Sequence, residues 1–319
     1  MLNRYKPEGL LYPTQENREY LLSPLGLERA LNDGRILEAP VLLCDNDMRL
    51  HIDLYGTTGI IEREEAVFSP CGEPTKDIAI ITRVGKPTCF KILGFYEENG
   101  RRIAKLSRRA AQAECYSSYI ATLEQGDIIE AKITRLESFG AFADIGCGLV
   151  SLLSIDCISV SRISHPADRL AVGMSIWAVV KSIDRSLGRV FLSQRELLGT
   201  WEENACEFKV GQTVAGIIRS VESYGIFIEL TPNLAGLAEL RSDEDKEVLS
   251  GLIGQSCAVY IKSIIPERMK IKLVLVDVCR AEAQKSPPKY YIEGNTCGHI
   301  DYWRYSPIGS SKKVETVFE

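Results

Sequence analysis

The chain has 319 residues, 45% of them hydrophobic and 25% charged, which excludes disorder throughout and allows two or three domains. Its formal net charge of −5 excludes a surface that is cationic all over, although one local basic face remains compatible with it. No run approaches about eighteen apolar residues and the first residues lack a signal-peptide core, so we expect a cytoplasmic protein with no membrane partner.

Ten cysteines lie at irregular spacings, and none form a Cys-x-x-Cys pair. That distribution predicts reduced, mostly buried thiols rather than the disulfide framework of a short secreted chain. Cys297 and His299 are close together, but the nearest other cysteine is Cys279. We therefore expect no metal site.

Residues 1–32 form an N-terminal extension that is partly helical, with a helical pattern in PLGLERALNDG. Residues 33–112 follow, and EAPVLLCD, MRLHIDLYG and GIIEREE are predicted strands within them. A linker helix is predicted over 113–124.

The next unit, 125–196, is repeated downstream at 210–278. GDIIEAKITRLESFGAFADI begins at Gly126, and GQTVAGIIRSVESYGIFIEL begins at Gly211. A second block, VGMSIWAVVKSIDRSLGRVFLS, matches IGQSCAVYIKSIIPERMKIKLV in the same order. Two matching blocks in one order predict two copies of one domain, separated by a linker helix over 197–209.

Each copy contains about five short strands, which is typical of a five-stranded barrel of the oligonucleotide-binding type. The unit 33–112 is a weaker copy, in which Gly34 takes the place of Gly126. At the positions of Phe139 and Phe142 in the unit 125–196, we assign Asp47 and Leu50 to this copy. The barrel therefore keeps the fold and loses these aromatic residues. The predicted fold class is all-β, with three tandem five-stranded OB-fold barrels joined by short helical linkers.

The tail 279–319 contains several aromatic residues among Gly and polar residues, namely Tyr290, Tyr291, Tyr302, Trp303 and Tyr305. A disordered tail would have fewer aromatics. We expect it to pack on the third barrel; a partner-binding segment is the alternative.

The motifs of 125–196 resemble the S1 domain, an RNA-binding barrel repeated in a large protein of the bacterial small ribosomal subunit. The resemblance rests on an opening Gly-Asp, on Phe-Gly-Ala-Phe-Ala-Asp, Gly-Leu-Val and Val-Gly-Met, and on Ile-Asp-Arg with Gly-Arg-Val-Phe-Leu-Ser. The linker Leu-Leu-Gly-Thr-Trp-Glu-Glu-Asn is also similar to the linkers of that protein.

This resemblance implies an RNA-binding face with two aromatics on the second strand, a His on the third, and an Asp and an Arg near the fourth and fifth. In the second barrel these positions hold Phe139, Phe142, Asp184 and Arg189. The His position holds Ser151 by motif or Ser154 by repeat register.

In the third barrel the aromatics are Tyr224 and Phe227, and the Asp and Arg positions hold Ile265 and Lys270. Glu239 occupies the His position, where a carboxylate would repel phosphate. The resemblance therefore implies a weaker face on this barrel.

Aromatic side chains suit this task because stacking one base contributes roughly 1–3 kcal/mol whatever the base. Phe139 and Phe142 are three residues apart, so strict strand alternation would send them to opposite faces. A bulge at Gly140 would bring both to one side; otherwise one ring belongs to the core.

Cations beside the rings would meet the RNA backbone, unless they form only a solvated surface. The candidates in the second barrel are Lys132, Lys181, Arg185 and Arg189. The candidates in the third barrel are Arg219, Lys262, Lys270 and Lys272.

No catalytic motif is present: no histidine stands beside a Ser or Cys nucleophile motif, and no glycine loop fits a phosphate. We therefore expect no enzyme activity, no cofactor and no small-molecule substrate. The predicted function is binding of single-stranded RNA, as mRNA, in translation on the small ribosomal subunit. The first barrel would contact that subunit or other ribosomal proteins. The alternatives are a protein-interaction scaffold and an accessory subunit of an RNA-processing or transcription complex.

Overall fold

A computed structural model describes residues 4–70, 72, 74–240, 250–282, 288–292, 294 and 297–318. The chain forms three closed five-stranded barrels, which confirms the predicted all-β fold of tandem barrels. In each barrel the first strand pairs antiparallel with the second and the fourth, and the third strand runs parallel to the fifth.

The first barrel is closed over a core that contains Val41, Ile52 and Phe90. Two N-terminal helices, α1 (Gln15–Leu21) and α2 (Pro24–Asn32), pack on it through Leu21 and Leu27. Its strands are β1 (Ile36–Cys44), β2 (Leu50–Leu54), β3 (Thr57–Ile61), β4 (Pro87–Glu98) and β5 (Arg101–Ser107), with the short helix α3 (Asp77–Ile81) before β4.

The second barrel follows helix α4 (Arg108–Ser118), which begins directly after β5 and therefore earlier than the predicted linker helix. Its strands are β6 (Ile128–Glu137), β7 (Gly140–Asp144), β8 (Val150–Ser154), β9 (Ser175–Asp184) and β10 (Arg189–Ser193).

The third barrel follows a 3-10 turn, Arg195–Leu198, and helix α5 (Trp201–Ala205), whose Thr200 and Glu203 form a capping box. Its strands are β11 (Thr213–Glu222), β12 (Gly225–Thr231), β13 (Leu234–Ala238), β14 (Gln255–Ile265) and β15 (Lys270–Glu282). The tail adds a small sheet of β16 (Tyr302–Arg304) and β17 (Glu315–Val317).

The N-terminal segment joins the first barrel to the second through Glu8. Its carboxylate accepts hydrogen bonds from Arg83 (2.7 Å) and Arg108 (2.8 Å), while its backbone N–H donates to Asp144 (2.7 Å). Burial opposes the charge on Glu8, but Arg108, Arg83 and the Cys89 N–H together outweigh it and lower the pKa of this carboxyl. Glu8 thereby holds together Arg83, Arg108 and Asp144, which lie far apart in the sequence.

A second buried ion cluster joins the second barrel to the third. Glu229 on β12 accepts hydrogen bonds from both terminal guanidinium nitrogens of Arg169 (2.8 and 2.6 Å) and from Arg219 (2.7 Å). The three side chains are 4%, 9% and 10% exposed, respectively, so the charges are satisfied by one another rather than by water. Because Arg169 belongs to the second barrel and the other two to the third, the cluster fixes the two barrels side by side.

The C-terminal tail packs on two barrels. Trp303 and Tyr305 join the core of the third barrel, as expected. Tyr290 and Phe318 instead pack near Val179 of the second barrel, which the sequence did not predict. The described part of the tail therefore bridges the second and third barrels.

All nine cysteines in the described part of the chain are free thiols, and five of them are buried. No helix among the described residues is long and apolar enough to cross a membrane.

The ion cluster predicts that Glu229→Ala destabilises the protein by about 3–5 kcal/mol, because buried Arg169 loses its counter-ion and Arg219 keeps only Asp168, at 3.7 Å. Urea denaturation followed by circular dichroism measures this loss. Glu222→Ala on the neighbouring strand is the matched control: its side chain is exposed, so its effect stays within about 0.5 kcal/mol. Equal, small effects of the two substitutions would contradict the role given to Glu229.

Candidate nucleic-acid interface

The two predicted aromatics of the second barrel lie side by side at a hairpin. β6 and β7 pair from Glu137 to Gly140, so Ser138 and Phe139 form the turn between them. Phe139 is 54% exposed, and its ring lies 6.0 Å from that of half-buried Phe142 at an angle of 88°. An edge-to-face pair of this kind leaves a ring face open to a further planar group.

The physical reason for this proximity differs from the prediction. The ladder irregularity lies in β6, between Ile133 and Arg135, and not at Gly140. Phe139 escapes strand alternation because it belongs to the turn. Gly140 matters for another reason: a Cβ there would lie 2.5 Å from the Leu153 carbonyl oxygen of β8.

A row of side chains crosses the barrel from Phe142. Phe142 pairs with Leu152 on β8, and Leu152 pairs with Phe191 on β10. All three are half-buried, so each presents part of its surface on the outside of the barrel. We call the exposed surface of Phe139, Phe142, Leu152 and Phe191 the aromatic face.

Sequence reasoning missed Phe191 and Arg135. The alternation in Arg-Val-Phe-Leu places Phe191 on the same side of β10 as Arg189, which is a signal that the sequence contains. Arg135 is the pairing partner of Phe142, and its guanidinium carbon lies 5.8 Å from the Phe142 ring centroid. It also forms an ion pair with Glu137, yet 69% of its side chain remains exposed.

Asp184 and Arg189 face each other across β9 and β10 at the edge of the aromatic face. The Asp184 carboxylate accepts hydrogen bonds from the Ser186 hydroxyl (2.6 Å) and from the Leu187 N–H (3.1 Å). These bonds, the hydroxyl first, lower the pKa of Asp184. Asp184 therefore holds the turn in shape, while Arg189 remains exposed.

The structure separates the two alternatives for the His position. Ser151 is buried, pointing into the barrel, whereas Ser154 is half-buried and pairs with Gly140 beside Phe139. Ser154 is therefore the side chain at this position, as the repeat register predicted.

Three of the predicted cations of the second barrel have partners within the protein. The Lys132 ammonium donates to the Glu8 carbonyl (3.0 Å), and the Lys181 ammonium lies 3.0 Å from the Cys157 sulfur. Arg185 donates to the carbonyls of Ala121 (3.1 Å) and Leu123 (3.4 Å). Their role in binding stays a prediction, and these contacts compete with it.

The third barrel repeats the hairpin geometry. Tyr224 is 63% exposed, and its ring lies 6.1 Å from that of Phe227 at 89°. The same cross-strand row runs from Phe227 through Leu237 to Lys272. Ala238 pairs with Ile226, so the next residue, Glu239, lies beside Gly225. In the second barrel the equivalent position, beside Gly140, holds Ser154.

The cations of the third barrel divide into two groups. Lys262, Lys270 and Lys272 are exposed, with Lys270 paired across the turn to Ile265. Arg219 is bound to Glu229 in the buried ion cluster. Its guanidinium is therefore engaged in holding the barrels together.

In the first barrel, the assignment of Asp47 and Leu50 to the aromatic positions is wrong. Leu43 pairs with His51 as Arg135 pairs with Phe142, so His51 occupies the Phe142 position. Leu50 is fully buried in the core.

The turn of the first barrel is one residue longer than that of the second, and it puts Met48, not Asp47, in place of Phe139. His51 is hydrogen-bonded to Asp45 (2.9 Å), and this barrel still lacks the aromatic pair.

No group of three or more His, Cys, Asp or Glu side chains within the described ranges could hold a metal ion. The arrangement on the second barrel instead suits planar and anionic groups together. Aromatic rings offer stacking surfaces, and the guanidinium groups of Arg135 and Arg189 lie at the margins of the same face.

Comparison with known proteins agrees with this geometry. The family described as S1 RNA binding domain matches residues 122–195, the second barrel. The small ribosomal subunit protein bS1 of Rhizobium meliloti is 26% identical over 265 residues, covering 79% of this chain and 45% of that protein. The bS1 protein of Staphylococcus aureus strain COL is 30% identical over 224 residues, covering 66% of this chain and 56% of that protein.

Among solved structures, GSP13 from Bacillus subtilis matches 23% of this chain and 57% of its own, with 26% identity and a TM-score of 0.22. The chain spans about half the length of the two bS1 relatives.

The close approach of β8 predicts that Gly140→Ala lowers stability by about 1–3 kcal/mol, because its Cβ must displace the backbone beside it. Thermal unfolding measures the loss. Gly298→Ala is the matched control, since a Cβ there meets nothing within 4 Å. An unchanged midpoint for Gly140→Ala would show that the hairpin tolerates the added atom.

The repeated barrels, the aromatic hairpin and the matching family lead to one conclusion. Residues 122–195 match the S1 RNA binding domain family, and most of the chain is similar to proteins named small ribosomal subunit protein bS1.

Proposed function

We propose that this chain binds single-stranded RNA, as mRNA, through the aromatic face of its second barrel and without catalysing a reaction. The observation that carries the proposal is the exposed Phe139–Phe142 pair on the barrel that matches the S1 RNA binding domain. Exposed aromatic rings can stack on any base, and the guanidinium groups of Arg135 and Arg189 at the margins of the face would pair with phosphates.

The setting we propose is translation on the small ribosomal subunit, within the cytoplasm. Its support is the similarity of most of the chain to proteins named as small ribosomal subunit protein bS1. Co-sedimentation of the tagged chain with small ribosomal subunits tests the setting. Recovery with RNA-processing or transcription complexes instead would favour the accessory-subunit alternative.

The first barrel supports a protein contact better than an RNA contact. Its hairpin carries His51 where the second barrel has Phe142, and Glu62 follows Ile61 at the position of Ser154. Leu42, Leu43 and Ile78 are 59%, 48% and 63% exposed. Exposed apolar side chains and a carboxylate in place of rings favour docking on a protein, such as a ribosomal protein.

If stacking drives binding, replacing both Phe139 and Phe142 by Ala weakens RNA affinity by roughly 5- to 150-fold, the equivalent of one lost base stack. Replacing both Tyr224 and Phe227 by Ala weakens it less, because Glu239 opposes phosphate on that barrel. Fluorescence anisotropy with a labelled oligouridylate measures both.

The exposed ring of Tyr55 in the first barrel provides the control variant, Tyr55→Ala, which leaves affinity unchanged. Wild-type affinity in the Phe139/Phe142 double variant would remove the aromatic face from the binding site.

Phosphate contacts predict a salt dependence. If Arg135 and Arg189 each meet one phosphate, log K falls with log salt with a slope of roughly −1.4, and Arg135→Gln reduces that slope by roughly 0.7. Arg18→Gln, which removes an exposed charge on α1, leaves the slope unchanged. A protein-interaction scaffold would have no measurable RNA affinity even at low salt.

A further inference from the structure

A groove of about 530 Å³ lies between the second and third barrels, beside the aromatic hairpin of the third. One wall comes from the second barrel and includes Arg162, Ile163 and Ser164; the other includes Tyr224, Phe227 and Ala235. Its volume falls in the range of about 300–1,000 Å³ that is typical of ligand pockets. We call it the inter-barrel groove.

The third barrel has no arginine of its own beside its aromatic pair. Ser220 pairs with Phe227, at the position where Arg135 pairs with Phe142 in the second barrel. The neighbouring Arg219 lines the groove, but its guanidinium is bound to Glu229. The stacking surface is thus conserved between the two copies within this chain, while the adjacent arginine is replaced.

Arg162 of the second barrel reaches the same groove from the opposite wall. Its side chain is exposed, and within the described parts of the chain it forms no hydrogen bond or ion pair. It is therefore an available guanidinium next to the Tyr224–Phe227 pair.

The loop that carries Arg162 is held against the third barrel by its backbone. The Val160 N–H donates to the Asn233 side-chain oxygen (2.9 Å), and the Ser161 N–H donates to the Pro232 carbonyl (3.1 Å). Asn233 is itself fully buried and donates to the carbonyls of Arg195 and Gly199 (both 2.8 Å). The position of Arg162 relative to Tyr224 is consequently fixed by the junction between the barrels.

We propose that the inter-barrel groove binds one nucleotide of a single-stranded RNA, with the base on Tyr224 and the phosphate on Arg162. The third barrel thus receives from the second the arginine that its own hairpin lacks. Glu222 lines the groove and Glu239 lies near the hairpin, so Arg162 would offset these negative charges for an approaching phosphate. This inference rests on the proposed function and extends it from one barrel to the junction of two.

The test uses the full chain and a fluorescein-labelled oligouridylate in an anisotropy titration at low salt. Arg162→Ala weakens binding by about two- to fivefold, the range of one exposed charge pair, and reduces the salt slope by roughly 0.7. Arg162→Lys keeps the charge and restores most of the affinity. Arg18→Ala is the control for the loss of an exposed arginine charge.

A double-variant cycle distinguishes one shared site from general attraction. If Arg162 and Tyr224 hold the same nucleotide, Arg162→Ala combined with Tyr224→Ala weakens binding by less than the product of the two single effects. Unchanged thermal unfolding of Arg162→Ala would tie its effect to binding, because the side chain has no partner among the described residues.

The experiments distinguish a failure of the groove from a failure of the proposed function. If the wild-type chain does not bind RNA at low salt, both the proposed function and the groove are overturned. If the wild type binds but Arg162→Ala behaves like Arg18→Ala, or if its effect multiplies fully with that of Tyr224→Ala, the groove is overturned while the aromatic face stands.

Discussion

The carboxylate of Glu229, enclosed by Arg169 and Arg219, is the interaction on which the arrangement of the second and third barrels depends. A carboxylate taken out of water is tolerated only when cations and hydrogen bonds replace that water. Because one of its partners belongs to each barrel, the charge is satisfied only when the barrels are docked. The loop bearing Arg162 and the hairpin bearing Tyr224 then face each other as a consequence.

The same principle operates at the first junction, where Glu8 is held by Arg83 and Arg108. At this junction the Glu8 carbonyl also accepts a hydrogen bond from the Lys132 ammonium. Several cations are thus paired within the protein and are not available on its surface. Beside the two aromatic hairpins the exposed arginines include Arg135, Arg162 and Arg189, and each lies at a margin rather than on a continuous basic surface.

The barrels and the aromatic hairpins could be predicted because they depend on local patterns: strand alternation, glycine turns and two copies of one motif. The positions in the first barrel could not, since a turn one residue longer moves His51 into the place assigned to Leu50. Phe191 could have been predicted, because strand alternation places it on the same side of β10 as Arg189. The internal partners of Lys132, Arg185 and Arg219 could not be predicted, because only the fold brings each partner close.

The most direct test of RNA binding on these surfaces is photocrosslinking of the full chain to a uridine-rich single-stranded RNA, with the crosslinked peptides identified by mass spectrometry. RNA held on the aromatic face and in the inter-barrel groove gives crosslinks in the second-barrel hairpin around Phe139 and Phe142, in β10 around Phe191, and at Tyr224 across from the Arg162 loop. Crosslinks confined to the first barrel or the C-terminal tail would contradict this placement of the RNA.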